Sequence, residues 1–233
     1  HHPKASSLLA LANWIGLHTG ASVGYLTEAG NTVGAQWACA QPAKNGLNAG
    51  QMLAGGLKAV ILLNNEPEFD SAAGAKAKAL LGQAQMVVSM NPFRANMDFC
   101  DVILPISPFT ETSGSFVNAE GRLQSFHAVV KPLGETRPAW KVLRVLANML
   151  ELPGFDFDAS TDVLSKLTGQ STALSSIPAD KLGNLSSAAF DMSAATTRPV
   201  TATIYQVDGI VRRASSLQMT ADAKMPTTSA DEV

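Results

Sequence analysis

An α/β fold, with a doubly wound, mostly parallel sheet and an added β-hairpin, is the class this sequence predicts, and three short apolar runs predict it. Lys58-Ala-Val-Ile-Leu-Leu63 breaks at Asn64-Asn65-Glu66-Pro67, Gln85-Met-Val-Val-Ser-Met90 breaks at Asn91-Pro92, and Asp101-Val-Ile-Leu104 breaks at Pro105. Runs that stay apolar instead of alternating suit strands covered on both faces, and helical or loop connections between them suit parallel pairing with right-handed crossovers. Burial of each Val, Ile or Leu contributes about 1.5–3 kcal/mol, enough to outweigh the weak strand propensity of runs this short.

The remaining elements follow in order. Leu8, Leu11, Ala12 and Ile15 share one face of a helix expected to end near Gly16. The glycine-rich, polar stretch from Gly16 to Gly46 reads as an ordered irregular loop. Asn48 is a candidate N-cap for a short helix through Met52 and Leu53, stopped by Gly55-Gly56. A helix from Phe69 to Leu81 is expected after the first strand, alanines inward and Lys76 and Lys78 outward. The clearest helix starts at Arg137-Pro138, with an apolar stripe of Trp140, Leu143, Ala147 and Leu150 opposite Lys141, Arg144, Asn148 and Glu151. It is expected to pack across the sheet and to stop at Pro153-Gly154.

Three regions result. Residues 1–154 form the α/β domain; 155–202 form an Ala/Ser/Thr-rich linker or strap; 203–233 form a docking segment with a frayed tail. Within the second, Asp162–Leu167 has room for one or two helical turns and Ser171–Thr201 reads as weakly ordered; within the third, Thr203–Val207 and Ile210-Val211 are apolar enough to dock. His1-His2-Pro3-Lys4 has no initiator Met and no signal pattern, so the start is expected to cut through a longer protein, truncating the domain at its N-terminus.

Composition limits the function classes. With 46% hydrophobic and 15% charged residues among 233, the chain is globular in profile. A net charge of −2 leaves no basic stripe for phosphates, so nucleic acid is not an expected partner, and the absence of a long apolar run argues against direct membrane insertion. Cys39 and Cys100 stand far apart without companions, fitting neither a disulfide framework nor a four-thiolate cluster, and are expected to be buried reduced thiols.

One stretch concentrates polar residues with chemical potential. In Glu111-Thr-Ser-Gly-Ser-Phe-Val-Asn-Ala-Glu-Gly-Arg-Leu-Gln-Ser-Phe126, Asn118 and Gly121 occupy the first and last positions of a turn between Ser115–Asn118 and Leu123–Phe126. An acid/base pairing of Glu111 with Glu120 would need a pocket and a shifted pKa; the favoured reading is a hairpin with ion pairing, and a buried Glu111 would require a cation or an N–H partner. Gly16, Gly20 and Gly24 follow no strand and match no phosphate-cradling loop, while His18 and His127 lack companions at ligand spacing and read as surface or turn histidines. A ligand at the loop after Leu63 is a further expectation, because open sheets bind at strand C-termini.

The segment from Asn91-Pro92 to the 137–150 helix resembles the closing part of a molybdopterin-oxidoreductase-type domain. The residues that carry the resemblance are Asp101 to Pro105, Glu111, Gly114-Ser115-Phe116, Asn118, Glu120-Gly121-Arg122 and Trp140. Three further segments, Leu26–Pro42, Asn64–Asp70 and Ile210–Lys224, are similar to the large iron–sulfur subunit of NADH-quinone oxidoreductase, in the peripheral arm of bacterial respiratory complex I. That resemblance implies a structural role in electron transfer from NADH to quinone coupled to proton translocation. It implies no catalytic, cofactor or metal site in these residues, and iron–sulfur clusters in a preceding region. It also implies other peripheral-arm subunits as partners and a peripheral location on the cytoplasmic side of the inner membrane. Asn64-Asn65-Glu66-Pro67 departs from the Gly-x-Asn-Pro that molybdoenzymes often carry beside the pterin. The rival implication is part of a molybdopterin-dependent oxidoreductase such as a formate dehydrogenase.

Overall fold

The computed structural model describes residues 2, 4–42, 45–169, 191, 193 and 201–224. The expected strap over 171–201, apart from residues 191, 193 and 201, and most of the frayed tail lie outside the described residues. Two compact units are present: one from His1–Gly24, Glu66–Leu80 and Asn184–Val233, the other from Tyr25–Asn65 and Leu81–Gly183.

The second unit holds the sheet. Strands β1 (Ala59–Leu63), β2 (Met86–Asn91) and β3 (Val102–Pro105) lie in the order β1-β2-β3, all parallel. The register sets Ile61 beside Val88 and Val88 beside Val102. Val60, Leu62, Leu81 and Val87 form the buried core, with Leu53, Leu57, Ala84, Phe99 and Cys100 packed against it. The expectation of two covered faces holds fully for one; on the other Met90 is buried but the cover is incomplete. Ile61 and Leu63 of β1, Met86 of β2 and Val102 of β3 are exposed, so the apolar runs anticipated a cover that the described residues do not complete.

Helix α1 (Ala5–Thr19) runs past the expected stop and ends at Gly20, which takes the left-handed conformation of a C-cap. Gly16 is buried inside it because Val23 Cγ2 sits where a β-carbon would be. Its buried positions are Ala10 and Gly16, while Leu8 and Ile15 of the anticipated face are exposed. The glycine-rich loop contains a short helix, α2 (Thr32–Trp37).

Helix α3 (Ala49–Leu53) is capped as expected: Asn48 Oδ1 accepts from Gln51 N and Gln51 Oε1 accepts from Asn48 N, both at 2.9 Å. The single helix expected over 69–81 is two, α4 (Pro67–Asp70) and α5 (Lys76–Leu81), interrupted where Gly74 adopts φ +54. Pro67 opens α4 at a position where no N–H is needed. Ala77 is fully buried, and Lys78 pairs with Glu68 at 2.5 Å.

Strands β4 (Gly114–Val117) and β5 (Leu123–Phe126) form the expected antiparallel hairpin. Helix α6 (Ala139–Met149) has Ala147 as its one buried residue, with Leu143 and Leu150 of the predicted stripe exposed. Arg144, expected to face water, is half-buried and donates to the Phe157 carbonyl. The chain leaves α6 at Glu151 in the left-handed conformation, before Pro153. Helix α7 (Ser160–Thr168) is capped by Asp162, whose Oδ2 accepts from Ala159 N at 2.8 Å and Asp158 N at 3.0 Å. The docking segment folds into short helices α8 (Ile204–Val207) and α9 (Ser215–Gln218) with 3-10 turns at Val211–Arg213 and Asp222–Lys224.

Met90 is fully buried in the central strand and Met86 is exposed at its start. Met90→Ala is therefore expected to lower the unfolding free energy by about 2–5 kcal/mol in urea titrations, and Met86→Ala by less than about 1 kcal/mol.

Candidate functional site

The C-terminal ends of the parallel strands are where an open α/β sheet takes ligands, and four asparagines collect there. Asn64, at φ +48, donates its N–H to Met90 O at 2.8 Å, which turns the chain out of β1. Asn96, also left-handed at φ +64, sends Nδ2 to Asn65 O at 2.9 Å and to Ser89 Oγ at 3.0 Å. Ser89 and Asn96 are buried, so this amide bridges the ends of β1 and β2 from inside. Asn91, buried and beside Pro105 in the register, accepts Phe93 N–H on Oδ1 at 2.9 Å and Ile106 N–H on its backbone oxygen at 3.3 Å. Pro92 follows, half-buried. Asp101 ties β3 to β2 at the opposite end: its Oδ2 accepts Val87 N–H at 2.7 Å and its N–H donates to Val87 O at 2.9 Å.

Glu66 follows this edge in sequence and belongs to the other unit. Arg213 grips it end-on, Nη1 to Oε1 at 2.9 Å and Nη2 to Oε2 at 3.0 Å, and Arg212 Nη2 stands 3.1 Å from Oε1. Asp70 Oδ2 accepts Glu66 N–H at 2.7 Å, Asp70 Oδ1 lies 3.8 Å from Arg212 Nη1, and the Arg212 guanidinium lies 4.1 Å from the Phe69 ring centroid. Burial pushes the Glu66 carboxyl up, but hydrogen bonds and charge from Arg213 and Arg212 outweigh it and hold the group below its ordinary value. For Asp70 burial wins over the Glu66 N–H and Arg212, and its carboxyl is raised. The arginines lower both carboxyls, and the net shifts differ in sign because Glu66 has the direct bonds while burial prevails at Asp70.

The hairpin's polar residues hold its own backbone. Asn118 Oδ1 accepts from Glu120 N at 3.1 Å and Arg122 N at 2.9 Å, its carbonyl accepts Gly121 N–H at 2.9 Å, and Gly121 sits at φ +80, a conformation costly for a side chain. Gly114 leaves room for the Phe126 ring, whose Cζ would stand 2.8 Å from a β-carbon there. Asn31 joins the hairpin to α2, its Oδ1 accepting Val117 N–H at 2.8 Å.

Glu111, half-buried in the 3-10 turn Phe109–Glu111, accepts Leu133 N–H at 3.0 Å. Glu120 and Arg122 are exposed. Among the described residues neither Glu111 nor Glu120 makes an ion pair, so a backbone N–H stands where ion pairing was expected. Trp140 lies half-buried in the first turn of α6, with Lys141 Nζ 5.3 Å from its ring centroid.

The thiols offer little chemistry. Cys39 is exposed, contrary to expectation. Cys100 is half-buried, and burial, helped by the charges of Asp101 and Asp98, pushes its thiol up, away from the nucleophilic thiolate. His18 is exposed and stacks on Trp14 with ring centroids 4.2 Å apart. Among the described residues there is no group of three His, Cys, Asp or Glu side chains able to hold a metal ion, and no helix long and apolar enough to cross a membrane.

A family model described as molybdopterin oxidoreductase matches residues 1–149. The chain belongs to the molybdopterin oxidoreductase family. Its relatives include two proteins named "Putative formate dehydrogenase" in Staphylococcus aureus. Strain bovine RF122 / ET3-1 has one that is 42% identical over 73 residues, and strain USA300 one that is 38% identical over the same length. Each alignment covers 31% of this chain, and the chain spans 7% of the length of these relatives.

Molybdopterin-family membership makes the asparagine edge the place to test for a pterin. Asn96 Nδ2 is engaged with Asn65 O and Ser89 Oγ and Asn91 Oδ1 with the Phe93 N–H, and among the described residues Asn96 Oδ1 is a buried oxygen left without a partner. One orphan acceptor can take one donor; it is not a cradle for a pterin and its phosphate.

Asn91, Pro92, Asp101, Pro105 and the hairpin set stand out in the sequence, and the structure brings the first four to β2 and β3 and the rest to β4–β5. Asn96 and Ser89 do not stand out, being signalled only by an Asn two residues beyond Phe-Arg in a loop. The grip of Arg212 and Arg213 on Glu66 has no local signal at all.

The depressed Glu66 carboxyl contributes stability that is present above its unfolded-state value and lost as pH falls through its lower folded value. Glu66→Gln should therefore be less stable than the parent at pH 7, with the gap closing below about pH 4 in urea titrations across pH. A gap that is constant with pH would show that the Glu66 charge is not what holds this cluster.

Proposed function

We propose that this chain is framework within a molybdopterin-family oxidoreductase, of the kind its formate-dehydrogenase-named relatives represent, and that the redox centres of the whole protein lie outside these residues. The carrying observation is the family match over residues 1–149 combined with a strand edge where the Asn96 amide donates to Asn65 O and Ser89 Oγ. In this reading Asn91, Asn96 and Asp101 fix the strand ends, Glu111 and Asn118 fix the turn and loop after β3, and the sheet supports neighbouring parts that hold cofactors.

A second reading, the C-terminal part of the large iron–sulfur subunit of complex I, has its own support. Two of the segments that narrow that resemblance, Asn64–Asp70 and Ile210–Lys224, are the two that Glu66, Arg212 and Arg213 join. There the chain would stand among peripheral-arm subunits on the cytoplasmic face of the inner membrane, supporting electron flow from NADH to quinone, with iron–sulfur clusters held by preceding residues.

Elemental analysis of the intact protein, purified with its partners, separates the readings. Stoichiometric molybdenum or tungsten with formate oxidation is expected for the first, and iron without either metal, with NADH:quinone activity, for the second. Deleting 111–150 should abolish assembly in both; unchanged assembly and activity would refute the framework role.

A further inference from the structure

The Glu66 cluster has the construction of a lock. Its two sides come from distant parts of the chain, separated by 147 residues, and meet inside one compact unit. On one side are Glu66 and Asp70, which bracket α4, the Asp70 carboxylate closing back on the Glu66 N–H. On the other are Arg212 and Arg213, in the 3-10 turn between α8 and α9.

That turn is prepared for the task. Asp208 Oδ1 accepts the N–H groups of Ile210 and Val211 at 2.9 and 2.8 Å, which starts it. Gln218 Nε2 ties α9 back to the carbonyls of Tyr205 and Val211 at 3.0 and 2.9 Å. Arg212 also donates to Gln206 O, and Arg213 to Gly209 O at 2.9 Å, so both guanidinium groups are braced by their own segment before they reach Glu66. The side chains of Glu66 and Arg212 are 10% and 12% exposed. At that burial each charge depends on the other, and Arg212 Nε, buried without a hydrogen-bond partner, adds to the cost of any looser arrangement.

We propose that residues 204–218 are a strap locked onto the start of α4 by the Arg212–Arg213 grip on Glu66. The lock fixes the chain where α4 begins, and it removes Glu66 from acid–base or ligand-binding use at a point in sequence where open parallel sheets present such groups. It does not depend on which redox reaction the whole protein performs.

Trypsin reads the lock directly, because its cleavage points include Arg212 and Arg213 themselves. In the full chain, Glu66→Gln should accelerate cleavage after these two residues by at least about tenfold, while cleavage after the exposed Arg94 and Arg122 of the other unit keeps its parental rate. Equal rates at 212 and 213 in parent and variant, or a uniform acceleration at all four sites, would overturn the proposal. A second variant guards against a folding artefact. In Arg213→Gln, backbone amides of 66–70 and of 204–211 should exchange faster together, and acceleration confined to one of these segments would equally refute the lock.

Discussion

The constraint on which the sheet-bearing unit depends is the burial of β2 between two parallel neighbours. Met90, Val87 and Ser89 are its fully buried side chains, and a strand so placed must pair its N–H and C=O groups on both edges. Ser89 is polar in that position and is tolerated because Asn96 reaches it from the following loop. The same amide takes the Asn65 carbonyl, so satisfying the polar interior of β2 also fixes where the chain leaves β1. Core and edge are therefore one problem with one solution, and that solution uses the groups that a ligand would otherwise meet.

The hairpin follows similar logic at a smaller scale. Asn118 and Gly121 close the turn, Glu111 clasps a backbone amide, and Phe126 lies over Gly114. Polar residues that their motif could suggest as catalysts are here acceptors for backbone N–H groups. That is the economical use of a carboxylate or amide in a half-buried loop, since each accepted N–H removes a desolvation cost of about 1–3 kcal/mol.

What the sequence revealed was local. The three apolar runs, the Asn48 cap and the Asn118–Gly121 turn each depend on neighbours within a few residues, and each is present. Tertiary context decided the rest. Gly16 reads as a helix stop, yet Val23 packs on it and α1 continues; Ala-rich 69–81 reads as one helix, yet Gly74 breaks it. Continuous apolar runs imply a sheet covered twice, whereas Ile61, Leu63, Met86 and Val102 are exposed. Arg212 and Arg213 could not be matched to Glu66 by any spacing rule, because an ion pair across such a distance in sequence leaves no periodic trace.

The framework role proposed for this chain requires that the asparagine edge, tied together by the Asn96 amide, contribute no hold on a cofactor. Electron density for the intact protein, isolated with its native cofactors, tests that most directly. Asn96 Nδ2 is predicted on Asn65 O and Ser89 Oγ, with at most a water on Asn96 Oδ1. Pterin or metal density held by Asn91, Asn96 or Glu66 would contradict it.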